Sequence, residues 1–175
     1  SHPTGLWSSG ITIGVGWSNI EFELLGQDFR NRGRRTDEML EVMRKLWTGD
    51  SVEHHGEFYD FAELRMQPAP RQRIPVWVGG ISDPALRRAA RNDGWISDLQ
   101  PTAEIVASIR KIQKWRSESA LSTPFEVMAS ASDAADVPAY RRLEEAGVTH
   151  ILTMPWAFYH GLTPDLDKQC DGIRR

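Results

Sequence analysis

Short apolar runs punctuated by glycine alternate along this chain with longer segments of helical period. Five runs read as strands: Gly10 to Trp17, Ile74 to Gly80, Gly94 to Ser97, Phe125 to Ala129 and His150 to Met154. Several are apolar with little alternation, the pattern of strands covered on both faces by helices. Ser18-Asn19-Ile20-Glu21 has the form of a capping box, which predicts a short helix directly after the first strand. From Thr36 to Trp47, Met39, Val42, Met43 and Leu46 recur at spacings of three and four, with Glu41 and Lys45 one turn apart on the polar side. Asp83-Pro84 places a capping residue ahead of a proline, Leu86, Ala89 and Ala90 form the stripe that follows, and Asn92-Asp93-Gly94 stops the helix. Ile105, Ile109 and Ile112 mark a helix from about Thr102 to Ser119, Pro138 opens another that ends at Gly147, and a last runs from about Pro164 to Arg174. The stretch from Gly49 to Arg73, with Pro68 and Pro70, reads as an irregular excursion. Alternation of this kind predicts an α/β fold with a parallel sheet, in one domain over residues 1–175.

Composition narrows the function classes. A formal charge of -3 offers no basic stripe for neutralising phosphates, so no nucleic-acid partner is expected. No apolar run approaches the roughly 18 to 20 residues of a membrane span, and the opening SHPTGLWSSG lacks the features of a signal peptide. Cys170 stands alone and forms no internal disulfide, which fits a cytoplasmic location. Seven tryptophans are less ordinary, several beside glycines at the ends of apolar runs.

The sharpest local motif is Val76-Trp77-Val78-Gly79-Gly80-Ile81-Ser82-Asp83-Pro84, a strand running through two glycines into a helix. Glycines allow close backbone approach, and free N–H groups at a helix start attract anions, so the turn can cradle a phosphate; equally, Gly79 and Gly80 can serve turn geometry alone. Gly14-Val15-Gly16-Trp17 ends the first strand and holds two glycines of a dinucleotide fingerprint, but Asn19 stands where the third would be. This strand end suits a wall for a flat ring, or simply relieves crowding inside a barrel. His54-His55 resembles a metal fragment, yet adjacent strand residues point to opposite faces and no second cluster has ligand spacing, so no metal is expected. His150 reads as structural or at a barrel rim, and His160 as a loop residue after the last strand that can touch substrate. Cys170 has no base or helix start to activate it, and no Gly-x-Ser-x-Gly elbow occurs. Arg30, Arg32, Arg34 and Arg35 read as a solvated helix entry balanced by Asp37, Glu38 and Glu41. No catalytic residue is assigned.

In order, Gly14-Val15-Gly16-Trp17, Glu21-Phe22, Asp28-Phe29, Arg32-Gly33-Arg34-Arg35-Thr36-Asp37-Glu38, Leu46-Trp47-Thr48-Gly49, Gly56-Glu57-Phe58-Tyr59, Pro68-Ala69-Pro70, Ile74-Pro75-Val76-Trp77-Val78-Gly79-Gly80 and Asp93-Gly94-Trp95 resemble the bacterial luciferase-like monooxygenase family, most of all its branch that uses the deazaflavin F420. The resemblance implies a (β/α)8 TIM-type barrel that binds F420 or FMN at the carboxyl ends of its strands and transfers hydride or oxygen to a small-molecule substrate. It implies that Gly79, Gly80, Ile81 and Ser82 receive the cofactor phosphate, and that Gly14, Gly16 and Trp17 lie close to the cofactor. It also implies that the strand ending in Gly-Val-Gly-Trp is the fourth of the barrel, so that five strands, the fourth to the eighth, are present and three βα units are missing. An open sheet of this kind has two unpaired edges, which predicts a homo-oligomer, a dimer in the first instance. The competing expectation is a truncated, catalytically inactive relative that acts as an oligomeric binding or assembly protein.

Overall fold

The elements run in the order β1 (Ile11–Ile13), α1 (Asn19–Leu24), a 3-10 turn (Phe29–Asn31), α2 (Arg32–Trp47), β2 (Ser51–His55), β3 (Asp60–Arg65), β4 (Val76–Gly79), α3 (Asp83–Ala90), β5 (Gly94–Gln100), α4 (Thr102–Glu118), β6 (Glu126–Ala131), α5 (Val137–Glu145), β7 (His150–Ile151), α6 (Pro155–His160) and α7 (Leu166–Arg174). This computed structural model describes residues 10–174. Five strands form one all-parallel sheet in the order β1-β4-β5-β6-β7, and β2 and β3 form a separate antiparallel hairpin.

Register decides which side chains share a face. Thr12 pairs with Trp77, Trp77 with Gly94 and Gly94 with Glu126, so these lie on one side, while Ile13, Val78, Trp95 and Val127 lie on the other. That second side is buried beneath the helices, against Leu86, Ala89, Ile105, Ile109, Ile112 and Leu143. Burying each large apolar side chain contributes about 1.5 to 3 kcal/mol. The first side is only partly covered: Trp77, Ile96, Met128 and His150 are half-buried. The strands are thus covered by helices on one face, not two as their apolar runs suggest. The sheet curls toward the open face, because the rings of Trp77 on β4 and His150 on β7 meet edge-on at 5.2 Å with two strands between them. Gly94 makes room for this: a Cβ there would lie 2.9 Å from the Trp77 indole.

Two buried arginines tie the helices and loops of the outer layer together. The Arg88 guanidinium donates to Asp37 at 2.7 Å and to the Gly33 carbonyl at 2.9 Å, joining α3 to α2. Arg116 donates to the carbonyls of Ala90, Asn92 and Thr123 and stacks on Phe125 at 4.6 Å. A cation at the carboxyl end of α3 complements the helix dipole, so Arg116 is held without a carboxylate.

Several elements depart from the sequence reading. The stretch from Gly49 to Arg73 contains the β2–β3 hairpin, which is held from outside. The Glu38 carboxylate of α2 accepts the backbone N–H groups of Glu57, Phe58 and Tyr59 at the hairpin turn, and meets His54 Nε2 at 3.2 Å. Burial pushes this carboxyl up, but the hydrogen bonds from Tyr59, Phe58, His54 and Glu57 outweigh it and hold it below the usual carboxylate value. As the alternation rule requires, His54 is buried and His55 exposed. Helix α2 begins at Arg32, and its arginines are not balanced along their own helix: Arg34 pairs with Glu57 and Asp37 with Arg88 and Arg91. Strands β1 and β7 are shorter than their apolar runs. A helix, α6, stands where a loop was expected, with His160 as its last residue.

Candidate functional site

Because Ile13 pairs with Val78, the two glycine turns leave the sheet side by side, at the carboxyl ends of adjacent parallel strands. Residues some 65 positions apart in the chain thereby share one rim. At Gly80, φ is +108°, and a Cβ would lie 3.1 Å from the Ala85 Cβ of α3, so only glycine takes this path without strain. The Trp95 indole, fully buried, donates from Nε1 to the Gly80 carbonyl at 2.8 Å and fixes the turn from below. Ile81 and Ser82 are exposed beyond it. Gly16 has φ +83° with the Phe22 ring 2.7 Å from its Cβ position, and its carbonyl accepts from Arg32 Nε at 3.2 Å. Gly14 has open space around it, and Trp17 is 88% exposed.

The helices that follow β4, β5 and β6 start at this rim, and their caps differ. Asp133 accepts from the Thr102 N–H and hydroxyl at 2.8 and 2.7 Å and closes α4; hydrogen bonds from Thr102 hold this carboxyl below its usual range. Asp136 accepts from the Ala139 N–H and closes α5. At α3 the N-cap is Ser82, not Asp83, and its hydroxyl makes no capping bond. Asp83 instead faces Lys111 at 2.8 Å, and the Lys111 hydrogen bond and charge, with Arg87 beyond, hold its carboxyl below the usual value. The glycine turn, the Ser82 hydroxyl without a capping bond and the Asp83 charge compensated by Lys111 leave this helix start open to an anion.

Sequence reasoning missed Gln100. It is buried at the carboxyl end of β5, where Nε2 lies 3.3 Å from Glu104 and Oε1 has no partner among the described residues. A polar side chain at the end of β5, directly ahead of Pro101, was the available signal. His160 meets Asp171 at 2.7 Å between α6 and α7, and His150 packs on Trp77 inside the curl. Among the described residues, no group of three or more His, Cys, Asp or Glu side chains is arranged to hold a metal ion, and no helix is long and apolar enough to cross a membrane.

A curled parallel sheet with helices on its outer face and a ligand-accessible carboxyl rim is part of a (β/α)8 barrel. The chain belongs to the luciferase-like monooxygenase family, whose family model matches residues 10–165. An uncharacterized protein of Mycobacterium tuberculosis is 43% identical over 144 residues, covering 81% of this chain and 50% of its own. The FMNH2-dependent dimethylsulfone monooxygenase of Pseudomonas putida is 31% identical over 90 residues, 49% of this chain and 25% of that one. The F420-dependent glucose-6-phosphate dehydrogenase of Gordonia bronchialis is 40% identical over 70 residues, 39% of this chain and 21% of that one. Among solved structures, an F420-dependent secondary alcohol dehydrogenase in complex with an F420-acetone adduct superimposes with a TM-score of 0.68 at 16% identity, over 81% of this chain and 62% of that chain. The chain spans about half the length, or less, of the curated relatives it matches.

Proposed function

We propose that this chain forms the cofactor-phosphate side of a luciferase-like oxidoreductase or monooxygenase, taking F420, or alternatively FMN, and acting on a small-molecule substrate. Gly79, Gly80, Ile81 and Ser82 hold the phosphate, and Gly14, Gly16 and Trp17 flank the cofactor from the neighbouring strand. The observation that carries this reading is the Gly80 turn opening onto the start of α3, where the Ser82 hydroxyl makes no capping bond. Relatives of both cofactor classes support it. A bound deazaflavin or flavin supplies the hydride or oxygen chemistry. The chain's own part is to bind and orient: Ser82 presents a free hydroxyl, Trp95 locks the turn, and Lys111 offsets the Asp83 charge that would otherwise repel a phosphate. The test is to add F420 and FMN separately to the protein and follow fluorescence. Saturable micromolar binding of one cofactor, lost in Gly80→Val, is the expected result. Binding without turnover would reduce the chain to a phosphate-ligand module, and no binding of either cofactor would overturn the reading.

A second reading, assembly, rests on helix α1. It has no buried residue, and Trp17, Ile20, Leu24 and Leu25 at and around it are 88, 69, 81 and 73% exposed. These lie beside β1, an edge strand of the sheet, and Leu152 and Met154 are exposed beside the other edge, β7. Apolar surface of this extent is usually covered. The matching proposal is a homo-oligomer, in the simplest case a dimer, and a well-folded monomer in sedimentation at micromolar concentration would dismiss it.

A further inference from the structure

At the opposite end of β4, away from the glycine turns, a surface cavity of about 390 Å³ is lined by Arg44, Trp47, Thr48, Arg71, Arg73 and Ile74, among others. Three guanidinium groups in one cavity stand out in a chain whose formal charge is -3. Their compensation is incomplete. Arg73 pairs with Asp93 at 2.6 Å, and Arg44 donates to the neutral side chain of Asn92. Arg71 is exposed and, among the described residues, forms no ion pair. Among the described residues, the three arginines that line the cavity thus have one carboxylate partner, Asp93, which is not itself a lining residue.

Helix electrostatics explains only part of this. The carboxyl end of α2 attracts positive charge, which accounts for Arg44 in its last turn. Arg71 and Arg73 belong to the loop that leads into β4, and no helix end calls for them. Trp47, half-buried in the wall, adds a flat apolar surface. Guanidinium forks match the planar oxygens of carboxylates and phosphates, and an indole face suits a ring.

We infer that this cavity is a second ligand site, for a small organic anion whose carboxylate or phosphate sits among the arginines while a flat ring lies against Trp47. The length of β4 separates it from the Gly80 turn, roughly 13 Å at the usual strand rise, so one small ligand does not touch both. The site stands on its own residues and does not depend on cofactor binding at the rim.

The experiment is a titration of the whole chain with AMP, benzoate and inorganic phosphate, followed by calorimetry and tryptophan fluorescence and repeated on Arg71→Glu, Trp47→Phe and Gly80→Val. AMP tests a phosphate on a ring, benzoate a carboxylate on a ring, and inorganic phosphate the anion alone. Arg71 is exposed without a partner, so its variant keeps the fold, which circular dichroism checks. The expected result is saturable binding of AMP or benzoate, weaker binding of inorganic phosphate, and a loss of about tenfold or more in Arg71→Glu from reversing one nearby charge. Trp47→Phe removes the fluorescence change, and Gly80→Val leaves binding intact. The inference is overturned if neither ring-bearing ligand saturates by about 10 mM. It is equally overturned if Arg71→Glu binds as the parent does, if Gly80→Val that circular dichroism shows to be folded abolishes binding, or if inorganic phosphate binds as tightly as AMP.

Discussion

Replacing Gly80 by alanine tests whether the turn at the rim is built on backbone geometry. At φ +108° a side chain forces a conformation that L residues rarely adopt, a strain of about 1 to 3 kcal/mol. The new methyl would also press on Ala85 at 3.1 Å, in a helix whose buried face is closely packed, adding about 1 kcal/mol. The expected destabilisation of Gly80→Ala is roughly 2 to 4 kcal/mol, which for a chain of this size lowers Tm by roughly 4 to 16 °C. Gly14 on the adjacent strand end is the matched control. Its φ lies outside the left-handed range and nothing stands within 4 Å of its Cβ position, so Gly14→Ala is expected within about 0.5 kcal/mol of the parent, or more stable by up to about 1 kcal/mol through a less flexible unfolded chain. Urea denaturation followed by far-UV circular dichroism, with thermal melts alongside, measures both. Equal stabilities for the two variants, or a larger loss at Gly14, would refute the reasoning that Gly80, and not Gly14, is sterically specified.

Three other outcomes are expected. Glu38 has a folded pKa below its ordinary 4.5, so its contribution is present above that value and is lost as pH falls through the lower, folded one; Glu38→Gln should flatten the acid limb of the stability curve and raise hydrogen exchange at residues 57–59 at neutral pH, and an unchanged acid limb would contradict the hairpin lock. Asp37→Asn removes the carboxylate that buried Arg88 pairs with among the described residues; because Asp37 itself is partly exposed and the Gly33 carbonyl remains, a loss of about 2 kcal/mol is expected in urea melts, and a neutral result would show that the carbonyl suffices. Trp95→Phe strands the Gly80 carbonyl and leaves space at the core, for about 2 to 4 kcal/mol in the same assay, together with weaker binding of whichever cofactor the parent takes.

The elements most legible in the sequence were those with an internal period. Met39, Val42, Met43 and Leu46 announced α2, the isoleucines of α4 announced their helix, glycine-bounded apolar runs announced β4 and β5, and the run between Pro124 and Ser130 announced β6. The hairpin was not legible, because Ser-Val-Glu-His-His and Asp-Phe-Ala-Glu-Leu-Arg carry weak alternation and depend on a carboxylate from another element. Helix α6 was hidden in an aromatic-rich segment ended by Gly161, which reads as a loop. The helix start at Ser82 was displaced by one residue, since Asp83 has the better capping chemistry but turns instead to Lys111. At the site, the glycine turns were visible one by one. Their adjacency depends on β1 pairing with β4, which spacing alone does not encode. Gln100, Arg88 and Arg116 are polar residues whose burial only the packed structure defines.

The pairing of β1 with β4 also bears on how the chain reaches its native state. Ile11 meets Val76 across some 65 residues of chain, whereas Trp77 meets Gly94, Gly94 meets Glu126 and Met128 meets His150 over much shorter loops. Loop-closure entropy and contact order favour the segment from β4 to β7 as an early folding unit, with β1 docking afterwards across α2 and the hairpin. Gly80 and Ser82 belong to the early unit; Gly14, Gly16 and Trp17 arrive with the late strand. The rim is therefore completed by the last and least protected event, so amides of β1 should exchange through a lower-energy opening than those of β5, and a polypeptide that stalls short of that step would present the turn of β4 without its neighbour.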